Sequence, residues 1–272
     1  MLGAIIGDIA GSAYEFHNTK DFKCELFPAG SNYTDDSIMT MAVASWLLRD
    51  PELTHEVLEE EMVRFGNAFP CPMGGYGGGF RKWLFSSGKR EPYNSWGNGS
   101  AMRVSAVGWF FDTLEETLAA AEKSASITHN HPEGIKGAQD TAAAIFMARN
   151  GADKYEIREY ISSRFGYDLR MSWEELHETY KWDESCQGTV PQALICLIES
   201  ASVEEAIRRA VSLGGDSDTL ACITGGIAEA YYGWLPATMV DEAYNRIPSD
   251  WHDLLQEFQN VSHYKCTIAL VD

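Results

Sequence analysis

The chain has no cysteine pair at C-x-x-C spacing. Its six cysteines, Cys24, Cys71, Cys186, Cys196, Cys222 and Cys266, are scattered, which argues against a zinc knuckle or a disulfide framework. Reduced thiols are expected. No apolar run reaches the roughly 18 residues that a membrane-spanning helix needs, so no membrane partner is expected. The N-terminus also lacks a basic region and a small-residue cleavage site, which points to a cytoplasmic protein. Basic residues are scarce: 21 Lys and Arg face 40 Asp and Glu, for a net charge of −19. Such a surface repels polyanions, and no nucleic-acid partner is expected. Alternating strand patterns are almost absent, and no Pro/Ser linker, repeat or low-complexity tract divides the 272 residues. One domain over residues 1–272 is the simplest organisation.

What is present is helix-period hydrophobicity, which predicts an all-α fold. Helices are expected at about 2–16, 37–49, 53–67, 100–111, 114–127, 134–149, 154–165, 188–200, 203–212, 218–232 and 250–260. Within the first, Gly3, Gly7 and Gly11 form a stripe that lets another helix backbone approach closely. The longest irregular stretches are 17–33 and 68–99, and connections beyond about 15 residues in a compact domain tend to carry function. An apolar patch at Ile268–Val271 has no evident role, scattered apolar surface is ordinary, and a monomer is expected.

Two helix starts share one grammar. Thr34-Asp35-Asp36-Ser37 precedes the apolar run Ile38 to Ala44, and Gly214-Gly215-Asp216-Ser217-Asp218-Thr219 precedes Leu220 to Ile223. Hydroxyls and carboxylates at such positions cap free N–H groups and complement the helix dipole, and that structural role is the ordinary one. The following helices are apolar enough to be buried, however, and four carboxylates near two interior helix starts need cations to offset their desolvation. Hard oxygen donors favour Mg²⁺, Mn²⁺ or Ca²⁺ over zinc. A haloacid-dehalogenase-type D-x-D-x-T/V motif fits poorly, because Leu220 stands two residues after Asp218 and Gly214-Gly215 interrupts any preceding strand.

Two loops have the composition for anion binding. Gly74-Gly75-Tyr76-Gly77-Gly78-Gly79 allows positive φ and brings N–H groups near a ligand, but no Lys-Ser/Thr follows, so it is not a P-loop. Asn94-Ser95-Trp96-Gly97-Asn98-Gly99-Ser100 leads into a helix N-terminus, a natural anion site. Tyr76 and Trp96 are candidates to stack on a base or ribose. Both loops can equally be surface turns. Arg103, in a first helical turn, is expected to pair with a carboxylate or a phosphate. His129-Asn130-His131 is a poor zinc signal without cysteines.

Taken together, these segments resemble the ADP-ribosylglycohydrolase family, including the dinitrogenase-reductase-activating glycohydrolases. The matching pieces are Gly7-Asp8-Ile9-Ala10-Gly11-Ser12, Thr34 to Ser37, the 74–79 loop, Gly97 to Arg103, Thr128-His129, and Gly214 to Thr219 followed by Gly225-Gly226. They occur in the family's order over most of the chain. Ser37 departs from the Thr of many members, and large insertions are lacking. The resemblance implies a compact orthogonal multi-helix domain with two Mg²⁺ or Mn²⁺ ions. Their ligands would be Thr34, Asp35, Asp36, Asp216, Asp218 and Thr219, with Asp218 bridging and Asp8 behind the site. It implies hydrolysis at C1″ of the distal ribose of ADP-ribose attached to a protein side chain. Gly75, Tyr76, Gly77, Ser95, Trp96, Gly97, Asn98, Gly99 and His129 would hold the substrate. The carboxylate managing protons would be Asp35 or Asp36, as in arginine-directed members, or Glu15, matching the flap glutamate of the serine-directed branch. Tyr14-Glu15-Phe16-His17 favours Glu15, and with it O-linked substrates. The competing readings are a non-catalytic ADP-ribose-binding or crystallin-like structural protein, and a hydrolase of another ribosyl or nucleotide conjugate.

Overall fold

The computed structural model describes residues 1–269 and is all-α apart from one short strand pair. In chain order the helices are α1 (Leu2–Ser12), α2 (Asp35–Arg49), α3 (His55–Ala68), α4 (Gly78–Leu84), α5 (Gly99–Met102), α6 (Ser105–Phe110), α7 (Leu114–Ser126) and α8 (Pro132–Arg149). They continue with α9 (Lys154–Phe165), α10 (Trp173–Thr179), α11 (Cys186–Ile198), α12 (Val203–Leu213), α13 (Ser217–Tyr232), α14 (Ala237–Tyr244) and α15 (Ser249–Val261). The strands β1 (Trp234–Pro236) and β2 (Thr267–Ala269) pair in parallel. Of the apolar patch at 268–271, Ile268 is exposed on β2, while Leu270 and Val271 lie outside the described residues.

Local chemistry accounts for several helix ends. Thr113, Asp153 and Ser172 form capping boxes with the glutamates three residues on, satisfying two otherwise free N–H groups each. Pro132 opens α8, where its missing N–H costs nothing, and His131 caps that helix by accepting from Glu133 N. Gly166 and Gly233 close α9 and α13 in the left-handed conformation.

The centre of the molecule is the pair α1 and α13, buried along most of their circumference. The glycine stripe explains their proximity. Gly3 faces the Gly225 carbonyl, Gly7 faces Ala221, and Gly11 faces Ser217 and the Asp218 backbone, each too close for a methyl group. Packing therefore fixes α1, which carries Asp8, along α13, with Gly11 against its start. Helices α8, α11 and α12 surround α13, while α2 packs on α1, α3, α6 and α15.

The structure corrects several sequence expectations. The first helix stops at Ser12, and Ala13 to His17 form a turn. The expected helix at 100–111 is broken at Arg103-Val104 into α5 and α6. There the Met102 carbonyl accepts sideways from the Thr40 hydroxyl and the Cys222 thiol. Three short helices, α4, α10 and α14, carry too few turns for a clear period. The irregular 68–99 stretch thus contains α4, anchored by buried Phe80, Trp83 and Leu84.

Candidate active site: an acidic cleft between two helix starts

Asp8 organises the first helix start. Fully buried, it accepts from the backbone N–H and hydroxyl of Thr34, at 2.9 and 2.7 Å, and from the backbone N–H and hydroxyl of Ser37. Burial pushes its carboxyl up to about 6 against the pull of these four bonds. The Thr34 oxygen also accepts from Asp36 N at 3.2 Å. This network caps α2 and turns Asp35 and Asp36 into a cleft of about 440 Å³, within the usual range of roughly 300–1,000 Å³ for small-molecule sites. Thr34 itself is fully buried behind the cleft wall.

The second helix start arrives from the opposite side. Gly214 and Gly215 both have positive φ, 72° and 69°, a conformation that costs other residues steric strain. They swing the chain so that Asp216 ends as the N-cap of α13. Its side chain makes no cap bond; Oδ2 accepts from Asn98 Nδ2 at 2.6 Å. Asp218 and Thr219 follow into the cleft, where the Thr219 hydroxyl donates to Asp36 Oδ1 at 3.4 Å. Glu15 enters from the turn after α1. Oxygens of Glu15, Asp216 and Asp218 all lie within 4.8 Å of one another.

Six carboxylates line the cleft, from Glu15, Asp35, Asp36, Glu184, Asp216 and Asp218, against one arginine, Arg103. The Arg103 guanidinium donates to the Ser124 carbonyl at 2.7 Å and the Thr128 hydroxyl at 2.9 Å. The expected ion pair is therefore absent among the described residues. Arg103 instead serves the last turn of α7, where carbonyls lack helix partners. No basic side chain pairs with these acids among the described residues. Burial first, and neighbouring carboxylates second, hold Asp35, Asp36 and Asp218 well above the usual carboxylate range and push Glu15 up to about 7. Asp36 Oδ2, Asp218 Oδ1 and Glu15 Oε2 are buried with no partner. Buried acceptors of this kind cost free energy unless something positive meets them. The donor set, carboxylates with the Thr219 hydroxyl, fits a hard divalent cation. Asp35, Asp36, Asp216, Asp218 and Thr219 all line this one cleft, whereas the Thr34 oxygen is already engaged by Asp8 and Asp36.

The glycine loops form the rest of the wall. Gly75, Tyr76, Gly77, Ser95, Gly97, Asn98, Gly99 and His129 all line the cleft. Gly74, at φ 73°, packs so tightly that an added Cβ would lie 2.5 Å from Glu15 Oε2. Tyr76 differs from expectation. Its hydroxyl donates to the Phe69 carbonyl and its ring packs edge-on against Phe80 and Phe85, so it braces the loop. Burial and the nearby Arg103 charge hold His129 well below its usual value. Its neutral ring has Nδ1 on the Thr128 hydroxyl at 2.7 Å and Nε2 beside Gly97 and Gly99.

Trp96 does not line this cleft. It is 53% exposed and borders an adjoining, more open cavity of about 560 Å³ with Tyr93, Trp182 and Glu184, which also line the cleft. The two spaces share a wall because Asn98 N donates to the Glu184 carbonyl and Cys186 N to the Trp96 carbonyl. Five lining residues escaped the sequence reading: Phe16, Phe80, Tyr93, Trp182 and Glu184. Phe16 and Trp182 stack at 5.9 Å across the cleft mouth. Glu184 accepts from the Trp182 indole and adds negative charge that raises Glu15 and Asp216. Nothing in their local sequence marks them, apart from the position of Phe16 beside Glu15.

Fold and site together define a class: an all-α protein whose interior helix starts present carboxylates, suited to a hard cation, at the floor of a glycine-walled cleft. The family model for ADP-ribosylglycohydrolase matches residues 1–269, and the chain belongs to that family. Similar curated proteins include ADP-ribosylhydrolase ARH3 of Homo sapiens, 26% identical over 95% of this chain and 88% of the relative. Its Mus musculus counterpart is 25% identical over 95% and 87%. ADP-ribosylarginine hydrolase Tri1 of Pseudomonas putida is 25% identical over 86% of this chain and 69% of the relative. A solved ADP-ribosylglycohydrolase-related protein complex shares the fold, with a TM-score of 0.63 at 23% identity, covering 96% of this chain and 94% of that one.

Proposed function

We propose that the protein is a metal-dependent ADP-ribosyl-protein hydrolase that cleaves the bond at C1″ of the distal ribose, favouring O-linked, serine-type substrates over N-linked, arginine-type ones. The observation that carries this reading is the convergence of Glu15, Asp216 and Asp218 oxygens within 4.8 Å on one cleft. The family membership and the similarity to ARH3 support it. Asp35, Asp36, Asp216, Asp218 and Thr219 would hold two Mg²⁺ or Mn²⁺ ions, with Thr34 contributing only if its oxygen turns from its present partners. Bound there, the cations would orient the ribose hydroxyls and favour ionisation of a nearby water.

The protein's own groups do the rest. Hydrolysis breaks the bond between C1″ and the side-chain oxygen while a water oxygen bonds C1″, so positive charge grows on the sugar ring, the departing oxygen takes up a proton and the attacking water gives one up. The acidic floor stabilises the first change electrostatically. Glu15, on a turn rather than on the floor, is the residue to deliver a proton to a serine oxygen, a poor leaving group as an alkoxide. Asp35 or Asp36 is the alternative proton carrier. N–H groups of the 74–79 loop, and those of the 95–99 loop other than Gly97 and Asn98, which are bonded to Ser95 and Glu184, would receive the pyrophosphate, and His129, neutral, can donate from Nε2 near Gly97 and Gly99. The adenine would lie in the adjoining cavity against Trp96 and Trp182. The proposal includes action as a single-domain monomer in the cytoplasm. Its test is release of ADP-ribose from serine- and arginine-linked peptides with Mg²⁺, Mn²⁺ or EDTA. Free ADP-ribose as competitor separates this substrate class from other ribosyl conjugates.

A further inference from the structure

One side chain ties the acid-bearing turn to the second helix start. Asn18 is surface-exposed, yet its amide is fully used. Its Nδ2 donates to the Gly215 carbonyl at 2.8 Å, and its Oδ1 accepts from Gly215 N at 2.8 Å, a paired amide–peptide bridge across 197 residues. The same Nδ2 donates to the carbonyls of Tyr14 at 2.7 Å and Glu15 at 2.8 Å. An amide nitrogen has two protons, so three acceptors share them and the Tyr14–Glu15 corner is clamped to the Gly215 peptide. Gly215 directly precedes Asp216, and its positive φ is what turns both its polar groups outward to meet Asn18. Further along, Lys20 anchors the segment on the carbonyls of His177 and Leu213, without touching Glu15 or Gly215.

We propose that Asn18 is a positioning residue for the reaction, its amide locking the Glu15 turn onto Gly215 so that Glu15 is held in register with Asp216 and Asp218. This rests on the hydrolase reading above, because only a reacting acid needs that register. Aspartate keeps the volume and the bond from Gly215 N but puts an oxygen against three carbonyls. Alanine removes every bond.

The test compares full-length wild type, N18A, N18D and K20A, loaded with Mn²⁺, on a serine-linked ADP-ribosyl peptide. A misplacement near 1 Å can cost about a hundredfold, so N18A and N18D are expected to lose roughly ten- to a hundredfold in kcat. KM and the Kd for free ADP-ribose should stay within about threefold, since the binding loops are untouched. K20A, which frees the same segment two residues from Asn18, should lose far less. Hydrogen exchange supplies a readout independent of turnover: in N18A the Gly215 amide and the amides of the 14–17 turn lose protection together. Wild-type kcat in N18A, equal losses in K20A, or exchange rising at only one of the two places would overturn the proposal. An inactive wild type would refute the hydrolase reading instead, while the exchange result would still decide whether Asn18 couples the two segments.

Discussion

Replacing Gly7 by alanine tests how the scaffold sets the site. A methyl group there would lie 2.9 Å from the Cys222 nitrogen, 0.5 Å inside the 3.4 Å at which ordinary contact begins, and closer still to the Ala221 carbonyl. Both obstacles are backbone of α13, so no rotamer change relieves them, and α1 must move away. Alanine gains up to about 1 kcal/mol in helix propensity. Overpacking a well-filled core costs roughly 1–3 kcal/mol, and the upper end applies where backbone meets backbone. Gly3 and Gly11 lie on the same seam, so separation at Gly7 also loosens their contacts. We expect a net loss of about 2 kcal/mol, or roughly 4–8 °C in Tm at the scale of 2–4 °C per kcal/mol for large domains. The same shift moves Asp8, and through it Thr34 and Ser37, relative to Asp218, so activity should fall as well. Calorimetry and the peptide-release assay measure both, with Gly30→Ala as control because nothing lies near its Cβ position. A Gly7→Ala protein as stable and active as wild type would refute the close-packing argument.

Other predictions follow from the site and the core. Glu15→Gln should abolish turnover of serine-linked ADP-ribose while the Kd for free ADP-ribose, read by calorimetry, stays near that of wild type; wild-type turnover would remove Glu15 from the mechanism. Gly74→Ala combines a strained positive φ with a collision at Glu15 Oε2 and should lower kcat more than ADP-ribose affinity; an unchanged kcat would show that the contact does not constrain the acid. Asp140 is fully buried with both oxygens unpartnered, and burial holds it well above 3.8. The native state therefore retains a proton that the unfolded state loses, and stability drains away as pH rises above about 4. Asp140→Asn should flatten that decline in denaturant titrations across about pH 4 to 8; an identical slope would mean Asp140 is ionised at no cost.

Much of this architecture was legible in the sequence where a local pattern carried the physics. The Gly3, Gly7, Gly11 stripe is a direct record of a close helix crossing. The two acidic helix starts combine caps, charge and apolar runs within a few residues, and the structure brings Asp35, Asp36, Asp216 and Asp218 to one cleft. What was not legible depends on chain segments meeting from afar. Trp182 and Glu184 join the cleft because the loop before α11 pairs with Trp96 to Asn98, an event that leaves no periodic trace. Arg103 suggested an ion pair from its position in a helix start, but the short α5 ends there and its guanidinium reaches the end of α7. Tyr76 looked like a free aromatic in a glycine loop, yet α4 follows it and draws the ring into a cluster with Phe80 and Phe85. Short helices and side-chain destinations are both tertiary decisions, and sequence period says little about either.

The central claim is that the acidic cleft uses a divalent cation to release ADP-ribose from a protein side chain. Its most direct test is a mass-spectrometric assay of the full-length protein with serine- and arginine-linked ADP-ribosyl peptides, in Mg²⁺, in Mn²⁺ and in EDTA. The account predicts free ADP-ribose from the serine-linked peptide with either metal and none in EDTA. Equal release in EDTA, or no release from either peptide with metal present, would contradict it.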